Sequence, residues 1–281
     1  LQLSDPPKEI ALDVIFPVIH GTFAEDGTIQ GLLELIRLPY VGADVLGSSI
    51  GMDKDIAKRI LRDTGIPIAA FFTLSSWDRE AIPFAKIKEE LGLPCFIKPA
   101  KMGSSVGVHK VETEEEFTKA LEDAFLYDTK VLIEEAVVGR EVECAVLGNE
   151  DPQASVFGEV IAQNDFYSYE AKYLSEDGAI LEIPAKLTES ELEKGQKAAV
   201  RAYQTLCCEG MTRVDFFLRE DGTFVVNEIN TLPGFTQISM YPKLWEASGL
   251  TYSKLLDQLI FFAIARFKRQ NELLTSSPID K

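Results

Sequence analysis

The sequence predicts a mixed α+β fold. Three observations carry that expectation: apolar runs of strand length alternate with longer segments of helical periodicity, an Asp-Gly pair joins two of the apolar runs, and no internal repeat or low-complexity tract interrupts the pattern.

The first strand-like run is 12–19, and a helix-like segment at 29–36 follows it. A helical period recurs at 53–64, and residues 94–98 form the next short apolar run. Thr113 followed by Glu116 fits a capping box opening a helix over 113–126. Residues 130–134 and 142–147 read as strands and 189–206 as a helix. Asp221-Gly222 lies between the runs 213–218 and 224–229, so these are expected to be antiparallel neighbours, with Asp215 close to Glu228. The last helix, 252–268, contains Asp257 and Arg266 and is amphipathic rather than a membrane anchor.

A chain of 281 residues has room for about two domains. Joints near Gly42 and over 134–139 divide it into 1–42, 43–134 and 135–281. A formal charge of -17 repels nucleic acid and anionic lipid, so neither is an expected partner, and any phosphate must be met by a few local cations. The four cysteines, Cys95, Cys144, Cys207 and Cys208, form no CxxC pair and read as reduced thiols of a cytoplasmic protein. Two histidines are too few for a His-rich metal site. The opening residues lack a signal peptide's basic start, do not begin with methionine, and run straight into the segment 11–19, as a fragment would.

Four stretches carry chemistry. Residues 96–110, FIKPAKMGSSVGVHK, put Lys98 at the end of a strand, before a loop whose Gly103, Ser104, Ser105 and Gly107 can bring backbone N–H groups and hydroxyls to a phosphate. GxxxxGK[ST] is absent, so this is not a Walker loop; a plain turn is the competing reading, which the preceding Ile-Lys-Pro disfavours. In MTRVD and NEIN, strand alternation places Arg213 with Asp215 on one face and Glu228 with Asn230 on one face of the partner strand. Two carboxylates and an amide oxygen form the hard-oxygen cluster that Mg2+ prefers beside nucleotide phosphates, although ordinary charges on a sheet edge would look similar. FYSYEAKY, 166–173, is a Tyr-rich stretch with one lysine, Lys172, and reads either as a water-excluding lid or as a surface loop. Last, His20 opens HGTFAEDG, a glycine-flanked acidic turn at a strand end, where α/β folds place ligands; His20 alone reads as a structural histidine.

Taken in order, HGTFAEDGTIQG, MDK, FIKPAKMGSSVGV, VLIEE, FYSYEAKY, RVDFF and NEINTLPGFTQISMYPKLW resemble the D-alanine–D-alanine ligase family of the ATP-grasp superfamily, from about residue 12 to about residue 259. The resemblance implies an ATP-grasp fold in which two α+β lobes enclose ATP, preceded by the remainder of an N-terminal α/β domain. It implies a cytoplasmic homodimer that uses ATP with Mg2+ or Mn2+ to join two D-alanines for peptidoglycan. Lys54 and Lys98 then resemble the cations at the nucleotide phosphates, with Ser104, Ser105 and Lys172 also at ATP. Glu134, Glu135, Ala136 and Val137 resemble the adenine strand and Glu141 the ribose contact. Asp215, Glu228 and Asn230 correspond to the metal ligands. Arg213 and the Gly234 N–H resemble the oxyanion-stabilising groups, Lys172 and Ser239 those on the second substrate's carboxylate, and Tyr173 and Ser104 a set tying lid to pocket. His20 and Glu25 join Arg213, Gly234 and Ser239 at the substrates.

Two departures stand out. Ala24 replaces the family's usual glycine, and the family's opening strand and loop, with a glutamate for the first D-alanine's ammonium, have no counterpart before Leu1. Two rivals remain: a ligase for D-lactate, disfavoured by the retained EAKY with Tyr173, and a non-catalytic ATP-binding remnant, disfavoured by the complete set of Lys54, Lys98, Arg213, Asp215, Glu228 and Asn230.

Overall fold

The computed structural model describes residues 11–162, 179–236 and 238–274. Two antiparallel sheets dominate. The smaller contains β1 (Phe71–Ser75), β2 (Cys95–Pro99), β3 (His109–Val111) and β4 (Lys130–Glu135) in the order β1-β4-β2-β3. The larger contains β5 (Arg140–Gly148), β6 (Gln153–Ala162), β7 (Ala179–Glu182), β8 (Gly210–Leu218) and β9 (Phe224–Asn230) in the order β7-β6-β5-β8-β9. The helices are α1 (Thr28–Leu35), α2 (Val45–Met52), α3 (Lys54–Asp63), α4 (Phe84–Leu91), α5 (Glu114–Ala124), α6 (Glu189–Thr205), α7 (Met240–Ala247) and α8 (Tyr252–Asn271).

Local chemistry sets several boundaries. Thr113 and Glu116 form the expected capping box at α5, and Thr188 with Glu191 repeats it at α6. Asp53 caps α3 through the Ile56 N–H. The β8–β9 hairpin turns at Gly222, whose φ of 77° suits glycine, while the Asp221 carboxylate accepts from the Thr223 N–H.

Burial alternates along β2: Cys95, Ile97 and Pro99 are buried, while Lys98 points the other way. Ile97 joins Leu74, Ile87, Phe117 and Ile133 in the core between the smaller sheet and helices α4 and α5. The larger sheet is covered on both faces. On one, Val142, Val214 and Phe216 pack with Leu61 of α3 and Tyr203 of α6. On the other, Ala145, Leu147 and Met211 pack with Tyr241 and Leu244 of α7 and Leu255 and Leu259 of α8.

That second face changes character along its length. Leu147 lies opposite Met211, Ala145 opposite Arg213, Glu143 opposite Asp215, and Asp215 opposite Glu228. The apolar half is roofed by helices, and the charged half faces the cleft. A register shift in the β8–β9 ladder leaves Asn227 as an extra residue, so Val226 stays opposite Phe216 in the core while Glu228 keeps its place opposite Asp215.

The 12–19 strand is not formed. Among the described residues, Ile15 alone of this run makes a bridge, to Tyr40, through Ile15 N–H to Pro39 O and Val41 N–H to Ile15 O, both 2.9 Å. Pro17 has no N–H to extend a ladder. The segment 40–42 is fixed by buried Arg266 of α8, which donates to the carbonyls of Tyr40 and Gly42 and lies over the Tyr40 ring. Helix α2, VLGSSIGM, shows no apolar period, and its neighbours leave no room for side chains at Gly47 and Gly51. A Cβ on Gly47 would lie 2.8 Å from the Cys207 carbonyl oxygen, and one on Gly51 2.7 Å from Thr231 Cγ2.

Gly47→Ala is therefore expected to destabilise the protein by about 1–3 kcal/mol, because the obstacle is backbone that cannot rotate away. A lowered midpoint in chemical denaturation checks this; an unchanged midpoint would show that α2 can shift.

Candidate active site

The cleft between the sheets gathers residues from distant parts of the chain. Glu25, Lys54, Gly103, Glu228, Asn230 and Thr231 line its enclosed end.

The cations come from a helix start and a strand end. Lys54, first residue of α3, donates its backbone N–H to Ala100 O at 3.0 Å and its ammonium to Met102 O at 2.8 Å, and lies 3.4 Å from Glu228 Oε2. Lys98 donates to Glu134 Oε1 at 3.0 Å and to Asn227 Oδ1 at 3.3 Å. Between them runs the loop 100–108. Ser104 and Ser105 both adopt left-handed backbone, φ 54° and 59°, at a cost of roughly 1–2 kcal/mol each. Gly107 follows with φ 67°, where a Cβ would lie 2.7 Å from the Tyr127 ring and 2.9 Å from Pro99. Val106 N–H to Gly103 O and Val108 N–H to Ser105 O close two successive turns. Such turns aim backbone N–H groups at one point, which suits an anion.

The carboxylates lie on β8 and β9. Both oxygens of Asp215 accept from Arg213, each at 2.7 Å, and the Asn230 amide donates to Asp215 Oδ2 at 2.9 Å. Glu143 Oε2 of β5 makes an ion-pair contact with Arg213 Nε at 3.0 Å. Burial opposes the Arg213 charge, but Asp215 and Glu143 outweigh it and hold the guanidinium well above its ordinary pKa. Among the described residues no three His, Cys, Asp or Glu side chains group to hold an ion. A cation here would draw on two carboxylates, the Asn230 amide oxygen and oxygens from a ligand.

At the other wall, Gly234, Ser239 and His20 converge. A Cβ on Gly234 would lie 2.7 Å from Ser239 Oγ and 3.8 Å from His20 Cε1. Ser239 precedes α7 and accepts from the Thr236 N–H at 2.9 Å. Glu25 accepts from the Gly21 N–H at 2.7 Å, and burial raises its carboxyl pKa against that hydrogen bond.

The residues expected at a nucleotide base divide. The Glu134 carboxylate lies buried between Lys98 and Lys58, and Glu135 turns to the Ala70 N–H at 2.9 Å and to Arg219. Ala136 and Val137 are half-buried in the link from β4 to β5, and Glu141 is exposed on the same face of β5 as Glu143. Lys172 and Tyr173 lie outside the described residues. Three contributors escaped the sequence reading. Glu143 follows Glu141 by two, and Lys58 follows Lys54 by four, periods that could have exposed both. Asn227 reaches Lys98 only because of the bulge, which no local pattern announces.

In sequence and fold the chain is similar to known proteins of one family. Residues 60–261 match the family model for the D-ala D-ala ligase C-terminus, and residues 2–43 that for the D-ala D-ala ligase N-terminus. A D-alanine–D-alanine ligase of Oceanobacillus iheyensis is 59% identical over 265 residues, covering 94% of this chain and 72% of that relative. The solved D-alanine–D-alanine ligase of Coxiella burnetii superposes with a TM-score of 0.85 at 44% identity, covering 94% of this chain and 71% of that one. The Bacillus anthracis D-alanine–D-alanine ligase complexed with ATP superposes with a TM-score of 0.79 at 33% identity, covering 92% of this chain and 81% of its own. The chain belongs to the D-alanine–D-alanine ligase family, an ATP-grasp fold.

Proposed function

We propose that this chain joins two D-alanines through an acyl phosphate made from ATP, supplying the dipeptide for peptidoglycan precursors. One observation carries the reading: the phosphate-type cations and the carboxylate–amide cluster share a single cleft, with Lys54 3.4 Å from Glu228. Residues 43–134 and 135–281 serve as the two lobes around ATP, and 1–42 as part of the first-substrate domain. No helix among the described residues is long and apolar enough to cross a membrane. A cytoplasmic homodimer is the setting that fits the family and the charge.

In the first step the carboxylate of one D-alanine attacks the γ-phosphorus, the bond to the bridging oxygen breaks, and ADP leaves. Lys54, Lys98 and the Ser104–Ser105 backbone meet the phosphate charge. Asp215, Glu228 and Asn230 would hold Mg2+, or Mn2+, whose contribution is to neutralise phosphate charge; the all-oxygen donor set fits either ion. In the second step the amine of the other D-alanine attacks the acyl carbon and phosphate leaves. Arg213 uses Nε and Nη2 on Asp215, so Nη1 is the edge that can face the developing oxyanion together with the Gly234 N–H. Ser239 and Lys172 receive the second carboxylate, His20 and Glu25 orient the first substrate, and Tyr173 with Ser104 ties the lid down. Glu134, Glu135, Ala136, Val137 and Glu141 form the base and ribose side.

D-Alanine is expected to drive ATP-dependent phosphate release near neutral pH, with D-lactate and L-alanine far poorer. Faster release with D-lactate would overturn the assignment, and no release with D-alanine would favour an ATP-binding protein without catalysis. Arg213→Ala is expected to lower kcat by about 10²–10³, because the guanidinium stabilises the developing oxyanion. Chelation by EDTA is expected to abolish release, and Mg2+ to restore it; steady-state assays in buffered metal check both.

A further inference from the structure

Helix α3 lies between the two sheets and is shared by both. Its Ala57 and Leu61 enter the core of the larger sheet, while Asp55 accepts from Thr73 of β1 at 2.9 Å and pairs with Lys130 of β4 at 3.1 Å. Lys58 leaves the same helix toward the smaller sheet and is almost wholly buried. Its ammonium lies 3.1 Å from Glu134 Oε2, and Lys98 meets the other oxygen, Oε1, at 3.0 Å. One carboxylate therefore receives two lysines, one from α3 and one from β2.

We propose that Lys58 is a positioning residue that, through Glu134, sets the distance between the two phosphate-binding cations Lys54 and Lys98. Lys54 and Lys58 are one turn apart on α3, so they move as a unit. Lys98 sits on β2, whose end is joined to the helix start by the Lys54 N–H to Ala100 O bond, and among the described residues the Glu134 bridge links its ammonium to that helix turn. Lys58 meets Glu134 as a 3.1 Å ion-pair contact shielded from solvent. Burial opposes ionisation of Glu134, but Lys58 and Lys98 hold its pKa below the usual carboxylate value; burial draws the Lys58 pKa down, against the pull of Glu134. A buried charged cluster is a poor stabiliser compared with apolar side chains of similar volume, which points to geometry rather than stability as its use. Two cations 40 or more positions apart in sequence must meet one triphosphate, and this bridge fixes their spacing before the ligand arrives.

The inference rests on Lys98 contacting the nucleotide. Lys58→Met, in the full chain, is expected to raise KM for ATP and Kd for ADP about tenfold, leaving KM for D-alanine within about twofold. Lys58→Arg, which restores a cation, is expected to recover part of the ATP effect. Unchanged ATP and ADP parameters in folded Lys58→Met, or equal changes for ATP and D-alanine, would overturn the proposal. If Lys58→Met does not fold, Lys58→Arg is read by the same ratio; if neither folds, Lys58 is structural and the proposal falls. Lys98→Ala is the control: a normal KM for ATP there refutes the nucleotide assignment itself, whereas a raised KM there with a normal one in Lys58→Met refutes only the positioning role.

Discussion

Helix α3 must satisfy two environments at once, and the cleft depends on that constraint. Its apolar side is part of the larger sheet's core, and its charged side is bound to the smaller sheet through Asp55, Lys58 and the Asp53–Lys130 pair at 2.7 Å. These ten residues, with the N-cap Asp53, thus bridge the two sheets. The Asp55 carboxyl illustrates the balance: burial opposes its charge, but Arg59, Thr73 and Lys130 hold its pKa below the ordinary value. Without these partners, the helix would bury a charge at a cost of several kcal/mol.

The larger sheet solves a second problem. A sheet face is uniform in direction but need not be uniform in polarity. Ala145, Leu147 and Met211 lie under helices, and further along the same face Glu143, Arg213, Asp215 and Glu228 form a network. Because strand alternation keeps both halves on one side, the rigid packing of α7 and α8 anchors the strands that carry the charged groups. The bulge at Asn227 preserves this arrangement: it absorbs one residue so that Val226 and Glu228 can face opposite ways without a break in the ladder.

Charge is handled locally rather than globally. The chain is strongly acidic, yet Lys54, Lys58, Lys98 and Arg213 cluster in the cleft, each paired with a carboxylate. The pairing keeps the cations in place before a polyanionic ligand adds its own charge. Backbone conformation adds to this: two consecutive serines in left-handed geometry are unfavourable alone, and the surrounding contacts of the loop hold them there.

Much of this was legible from the sequence. The capping box at Thr113, the Asp-Gly hairpin, and the placement of Arg213, Asp215, Glu228 and Asn230 on neighbouring strands follow from short-range rules, because each involves residues joined by one turn or one register. Lys98 and the Gly/Ser loop were visible for the same reason. The 12–19 run departs from its strand pattern because a β-prone run needs a partner, and among the described residues only Ile15 has one. Helix α2 was missed because glycines that allow close packing erase the apolar period. The convergence of His20, Gly234 and Ser239, the Glu143 contact and the Lys58–Glu134–Lys98 bridge were decided only by tertiary structure. Their members are far apart in the chain, and the distances between them depend on how helices and sheets pack rather than on any local spacing.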